Sequence, residues 1–156
     1  MPIENVSTVR RALDSGRAFV ASSGKKTLSG GADLLYFQVG SGKKVTVTRI
    51  IFGVDSGKGV LYVSTSPTGT ITGNDVAKIN RYVGKGQTST ATVKNDVGGV
   101  SSKGDVEYVI PFASAFVLDL PSGLKLVAGT KLLISLDLTG TDVNLAAGIE
   151  WTEDDA

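Results

Sequence analysis

The chain has 156 residues, 16 Lys and Arg against 15 Asp and Glu, and neither histidine nor cysteine. Those two gaps exclude a Ser-His-Asp triad, a thiol nucleophile, a disulfide, an iron–sulfur cluster and every His or Cys metal site. The chemistry left open runs through oxygen: paired carboxylates, or Ca²⁺ or Mg²⁺ held by oxygen ligands.

The length suits one domain, since domains most often hold roughly 100–150 residues. Val, Ile and Thr number 19, 8 and 15, and such β-branched side chains fit a pleated sheet better than a helix. The 20 glycines fall singly or in pairs between apolar runs and read as turns. A net charge of +1 argues against a dedicated nucleic-acid binder. The charge is uneven, however. Residues 1–26 carry Arg10, Arg11, Arg17, Lys25 and Lys26 against Glu4 and Asp14. Residues 132–156 carry Asp137, Asp142, Glu150, Glu153, Asp154 and Asp155 and no base. One reading is a solvated acidic tail; the other is that the basic beginning meets the acidic end, within a subunit or between subunits. No secretion signal and no long apolar run is visible, so a soluble, non-exported protein without a membrane partner is expected.

In chain order, Ile3, Val6, Val9 and Leu13 are spaced to share one side of a short helix, which Gly16 can end. Residues 1–16 are therefore expected to form a capping helix or an arm, ahead of one β domain over 17–156 with an acidic tail. Strand patterns follow at 17–21, 34–39, 44–54, 60–64, 78–83, 88–94, 106–112, 116–120, 130–138 and 143–152. The clearest are Leu132, Ile134, Leu136 and Leu138 against Lys131, Leu133, Ser135 and Asp137, and Val143, Leu145, Ala147, Ile149 and Trp151 against a more polar set. The phase of Val45 and Val47 differs from that of Ile50 and Phe52, which predicts a bulge near Arg49 or two covered faces. Ser-Gly-Lys recurs at 23–25, 41–43 and 56–58 and predicts three hairpin tips. Gly140-Thr141 predicts a hairpin between the last two strands. Gly98-Gly99 and Ser101–Gly104 read as a flexible loop. Many short strands without a long helix signal an all-β sandwich or barrel.

The candidate chemistries are thin. Gly40-Ser41-Gly42-Lys43 lacks the leading glycine and trailing hydroxyl of a P-loop, with Phe37 and Lys44 in those places. Glu150 sits on the outward face of the last strand, and Glu153, Asp154 and Asp155 read as a solubilising end rather than a catalytic pair. Asp137, Asp142 and Asn144 surround one turn but match no strong Ca²⁺ pattern. Trp151 is in phase with the core residues. Tyr62, Tyr82 and Tyr108 lie in strand patterns and would serve a glycan-binding reading if exposed. Lys78, Arg81, Tyr82 and Lys85 are the faint basic-aromatic set that a nucleic-acid reading would need. No catalytic residue, cofactor or metal is expected.

The run from Phe116 to Leu136 reads as strand, Pro/Gly turn at Pro121–Gly123, short strand, Gly129, then a long alternating strand. It closes on Gly148-Ile149-Glu150-Trp151, and Leu34–Ile50 reads as a strand–turn–strand opening, followed by Thr68-Gly69-Thr70, Gly73-Asn74-Asp75 and Asn80. This layout, over roughly residues 17–152, resembles small jelly-roll virion proteins of tailed bacteriophages, such as capsid decoration (cement) proteins and other head or tail accessory proteins. The resemblance implies a jelly-roll-like antiparallel β-sandwich of eight strands, built into a symmetric homo-oligomer, with a trimer favoured. It implies a non-enzymatic structural protein of the virion, made in the host cytoplasm, whose partner is the major capsid protein or another virion protein. Its N-terminal arm would hold the contact residues Ile3, Val6, Val9, Arg10, Arg11 and Leu13. The alternative is a carbohydrate- or receptor-binding β-sandwich of a phage tail or fibre tip.

Overall fold

The structure, a computed structural model, describes residues 10–13, 15–84 and 86–156. Residues 10–13 form one helical turn. Gly16 closes it in the left-handed region (φ 73°), its N–H bonded to the Leu13 carbonyl at 3.0 Å.

Two antiparallel sheets then stack face to face. The strands are β1 (Ala18–Ser22), β2 (Lys26–Leu28), β3 (Ala32–Gln38), β4 (Lys43–Val54), β5 (Lys58–Thr65) and β6 (Thr68–Asp75), then β7 (Ile79–Asn80), β8 (Thr92–Ser102), β9 (Asp105–Phe112), β10 (Phe116–Leu126), β11 (Lys131–Thr139) and β12 (Val143–Asp155). One sheet has the order β10-β4-β12-β1-β7, with β2 also beside β12; the other runs β6-β8-β3-β11-β5-β9. We name them by their central strands, the β12 sheet and the β11 sheet.

The pairing reveals the topology. Leave aside β2, β6, β7 and β8, and the first remaining strand pairs with the last (β1·β12). The second pairs with the seventh (β3·β11), the third with the sixth (β4·β10) and the fourth with the fifth (β5·β9). That is one long hairpin rolled up into two sheets, a jelly roll. Among the described residues no strand pairs with its neighbour in sequence.

This winding corrects the turn predictions. Ser41-Gly42-Lys43 and Ser56-Gly57-Lys58 carry the chain from one sheet to the other, from β3 to β4 and from β4 to β5. Gly140-Thr141 does the same between β11 and β12, so it is no hairpin. Ser23-Gly24-Lys25 is a break within one line of strand. Ser22 pairs with Gly148 and Lys26 with Leu145 on the same β12, and Ser23 bridges the gap through Ala147. Gly and polar residues mark a change of direction, but they do not say which strand the chain joins next.

The core lies between the sheets. Trp151 is its centre, 4.9 Å from the ring of Phe37 (edge-on) and 5.9 Å from Phe19 (stacked). Phe52 packs on Phe112 at 4.6 Å and Phe116 at 5.4 Å. Large rings at these spacings add to the burial energy and fix the sheet separation. The bulge expected near Arg49 is present: Glu150 pairs with Arg49 and Trp151 with Val47, leaving Thr48 as the extra residue. It turns Val47 and Ile50 inward together, and Thr48 Oγ1 donates to the Glu150 carbonyl at 3.2 Å.

Of the segment expected as a flexible loop, Gly98-Gly99 and Ser101-Ser102 belong to the second half of β8, and only Lys103-Gly104 connects it to β9. That half of β8 pairs with β6 as a ribbon outside the main path of the chain. β8 begins hydrogen-bonded to β3, whereas β9, which follows it, lies at the far edge of the same sheet. The ribbon reaches that edge across the outer face. Lys103 Nζ, at its end, sits 5.2 Å from the ring centroid of outward-facing Tyr62. Outward-facing Leu133, Ser64 and Ser135 on the same face are fully buried.

Candidate interaction surface

Arg10 and Arg11 stand exposed on the helical turn, Leu13 is half-buried, and neighbouring Ala12 is buried. Asn80 Nδ2 donates to the Gly16 carbonyl at 2.9 Å, which ties the turn to the β1–β7 margin of the β12 sheet. Ile3, Val6 and Val9 lie outside the described residues.

The acidic end is no free tail, because β12 continues to Asp155 beside β4. Arg17 pairs with Asp154, and Lys43 pairs with Asp155 at 2.6 Å. The meeting of basic beginning and acidic end thus happens within one chain, through Arg17. The remaining bases that answer these acids come from β4 and from the segment after β7. The Lys43 ammonium, above all its hydrogen bond to Asp155, lowers the Asp155 carboxyl, and Asp155 raises the Lys43 ammonium in return.

Glu150 faces outward, as its phase predicts, yet is only 8 % exposed. Arg81 reaches its carboxylate at 3.3 Å and Arg49 Nε at 3.6 Å, while the same Nε donates to Asp119 at 2.8 Å. These residues make a charged row across β10, β4 and β12. A carboxylate between two guanidiniums serves as a clamp on the sheet.

Glu153 is a buried structural anchor that the sequence reading took for part of a solubilising end. It is 6 % exposed and in phase with Trp151, pointing to the interior. Ser89 Oγ donates to it at 2.7 Å, Thr90 N–H at 3.0 Å, Thr90 Oγ1 at 3.1 Å and Trp151 Nε1 at 3.4 Å. The missed signal was the period of two, which continues through Glu153 although the residue is charged.

The other candidate residues are dispersed. Lys78–Val83 is only a two-residue strand followed by an exposed turn. Tyr82 is exposed there, Tyr108 is half-buried against the core, and Tyr62 lies under Lys103, so no common aromatic platform forms. Burial first, then Asp137, raises the Tyr62 phenol. Lys78 donates to the Ala91 carbonyl at 2.8 Å and Arg81 is engaged by Glu150, while Lys85 lies outside the described residues. Asn144 accepts from Thr27 Oγ1 at 2.6 Å and donates to Asp55 at 2.8 Å, while the Asp142 N–H donates to Ser29 Oγ at 2.9 Å, so the turn is tied to distant segments and not, as expected, bonded within itself. Among the described residues no group of three acidic side chains gathers to hold a metal.

Two shallow clefts lie among the described residues. One, of about 390 Å³, lies among Lys26, Leu28, Asp33, Leu34, Asp96 and Val97. There burial raises Asp33, and Lys26 lowers Asp96. The other, of about 410 Å³, is bordered by Arg17, Phe19, Lys43, Gln87, Glu153 and Asp155. Lys26 pairs with Asp96 at 2.7 Å in the first, and Lys43 with Asp155 at 2.6 Å in the second. No protein-family model matches the chain, and no curated protein is detectably similar to it in sequence.

Proposed function

We propose that the protein is a non-enzymatic structural component of a phage virion, most simply a capsid decoration protein that binds the head and reinforces it as a homo-oligomer. The observation that carries this reading is the rolled-hairpin jelly roll with a helical turn leading into its first strand. The polar side chains of the fold support it. Glu150 is held by Arg49 and Arg81 and Glu153 by Ser89, Thr90 and Trp151, and an ion pair spans each of the two clefts. Such a fold is stiff and presents surfaces rather than a reaction centre. In this reading Arg10, Arg11 and Leu13, with Ile3, Val6 and Val9 before them, contact the capsid, and repetition over a symmetric shell turns a weak contact into firm attachment.

The test is a particle-binding experiment with the full chain. Antibody labelling and electron microscopy of purified virions are expected to place the protein on the particle surface. Arg10→Glu with Arg11→Glu is expected to abolish attachment while leaving the β domain folded. A protein absent from virions sinks the reading; undiminished attachment of the double variant sinks the role of the N-terminal contact residues.

A further inference from the structure

The edges of the two sheets are protected unequally. β9 has a register shift opposite Val63 and Ser64 and carries Pro111 near its end. β7 is two residues long, β2 is three, and β6 pairs irregularly with β8. Prolines, register shifts and short strands keep further strands from adding to a sheet edge. The first half of β10 has none of these devices. β10 pairs with β4 alone, which leaves its other side unpaired among the described residues. From Phe116 to Leu120 it contains no proline and no glycine. It keeps register with β4 from Phe116 to Asp119, and the irregularity begins only beyond that point, around Pro121.

The core is open along the same flank. Among the described residues eight apolar side chains pack against the core while only partly buried. Five of them, Tyr108, Ile110, Phe116, Leu118 and Leu124, belong to β9 and β10. Val106 and Val109 on β9 and Val117 on β10 stand exposed beside them. An unpaired strand edge with half-covered core side chains next to it is the kind of surface that takes up another strand.

We infer that the occupant is the same segment of a second copy, paired antiparallel with Phe116–Leu120 about a two-fold axis perpendicular to the β12 sheet. Such an axis keeps outward side chains outward in both copies, so it falls at a residue and not between two. Leu118 is the middle of the open stretch. It meets Leu118 of the second copy, Phe116 meets Leu120 of the second copy, and Val117 meets Asp119 of the second copy. The inward-facing residues Phe116, Leu118 and Leu120 then carry the apolar core across the junction. On the outward side no like charges stand directly opposite each other, since Asp119 faces a valine. Pairing over five residues supplies about four to six backbone hydrogen bonds. Each copy uses up its open edge, so assembly stops at two chains, and a trimer needs a different surface. Five residues at about 3.3 Å each bury far less than the roughly 1,600 Å² of a standard interface, so dissociation is on the order of 100 µM. The contact rests on the homo-oligomer part of the proposed function. It is measured on the isolated chain, so its absence and a failure to attach to virions are separate results.

The experiment is sedimentation velocity of the full chain from about 1 µM to about 1 mM. The mass is expected to climb from 16.1 kDa towards twice that value. Val117 is 51 % exposed, so a charged side chain there leaves the fold intact, which thermal melting checks. Val117→Glu sets a carboxylate against Asp119 of the second copy, twice per pair, and is expected to weaken association by about tenfold or more. Val117→Lys sets an ammonium in the same place and is expected to associate no more weakly than the parent. A general apolar attraction would be weakened by both charges alike. A parent chain that stays at 16.1 kDa throughout overturns the inference, as does growth beyond two chains. Val117→Glu associating as tightly as the parent overturns it too, and so does Val117→Lys associating more weakly.

Discussion

Ser89 donates its hydroxyl to Glu153 at 2.7 Å, and both residues are buried. This bond fastens the chain that runs up to β8 onto the end of β12, with Thr90 and Trp151 supplying the other donors. Four donors aimed at one buried carboxylate make its removal costly, because each is left desolvated and unpaired. Glu153→Ala is expected to destabilise by roughly 2–4 kcal/mol, a fall in melting temperature of about 5–12 °C for a chain of this size. Limited proteolysis should then open the segment around Gly86–Thr88. A change within about 0.5 kcal/mol, the usual range for a solvated surface site, contradicts the arrangement.

The Arg49–Asp119–Glu150–Arg81 row separates into a cheap and an expensive part. Arg49 and Asp119 are both well exposed, so a double-mutant cycle between them is expected to give under about 1 kcal/mol. Glu150 differs, since its side chain is 10 % exposed and held by two arginines. Arg49→Ala or Arg81→Ala alone leaves it one partner. The double variant leaves an unpaired, largely buried carboxylate and is expected to lose about 2–4 kcal/mol, more than the two single losses added. Chemical denaturation of the four proteins checks this, and strict additivity refutes it.

Period-two alternation made the sandwich legible in the sequence. It picked out the inward faces of β11 and β12 and the displaced phase of β4. It failed wherever a residue's environment is set by distant chain. Leu133 looked like the one apolar exception on a polar face, and it is buried because a ribbon folds over it. That ribbon was hidden because Gly98 and Gly99 looked like loop composition. Yet a Cβ on Gly99 would lie 1.9 Å from the Thr70 carbonyl oxygen, so these glycines let two strands approach closely. Glu153 was misread because a charge near a chain end is usually solvated. The sites that sequence missed are those where tertiary cover outweighs local pattern.

The covered face makes a stability prediction of opposite sign. Ser64 Oγ and Ser135 Oγ are buried without a hydrogen-bond partner among the described residues. Burying an unpaired hydroxyl is unfavourable, and an alanine of nearly the same size removes it. Ser135→Ala is therefore expected to be neutral or stabilising by up to about 1 kcal/mol. Thermal melting reads the effect directly, and a loss above about 1 kcal/mol would show that the hydroxyl is engaged.

The pH dependence follows from the shifted carboxyls. Hydrogen bonding from Asn144 lowers Asp55, Lys26 lowers Asp96, and Lys43 lowers Asp155, while burial raises Asp33 against the pull of Lys103. A lowered folded value means that the unfolded chain binds more protons near pH 4. The stability from Asp55, Asp96 and Asp155 is then fully present above their unfolded values of about 3.9 and is lost as pH falls through the folded values. Asp33 works the other way, since its ionisation penalises the folded form and acid relieves it. Three against one gives a net loss below about pH 4. Lys43 is raised, so its contribution holds below its unfolded value of about 10.4 and disappears as pH climbs through the folded one. Between these limits no His or Cys side chain titrates, so melting temperature is expected to be flat from about pH 5 to about pH 9. Asp96 and Asp155 act through exposed ion pairs, so about 0.5 M salt should blunt their part of the acid loss, whereas the hydrogen-bonded part at Asp55 should persist. Melting temperatures at about pH 7, 4 and 2.5, for the parent and Asp155→Asn, decide the matter. The variant is expected to lose less on acidification than the parent, and equal losses would remove Asp155 from the account.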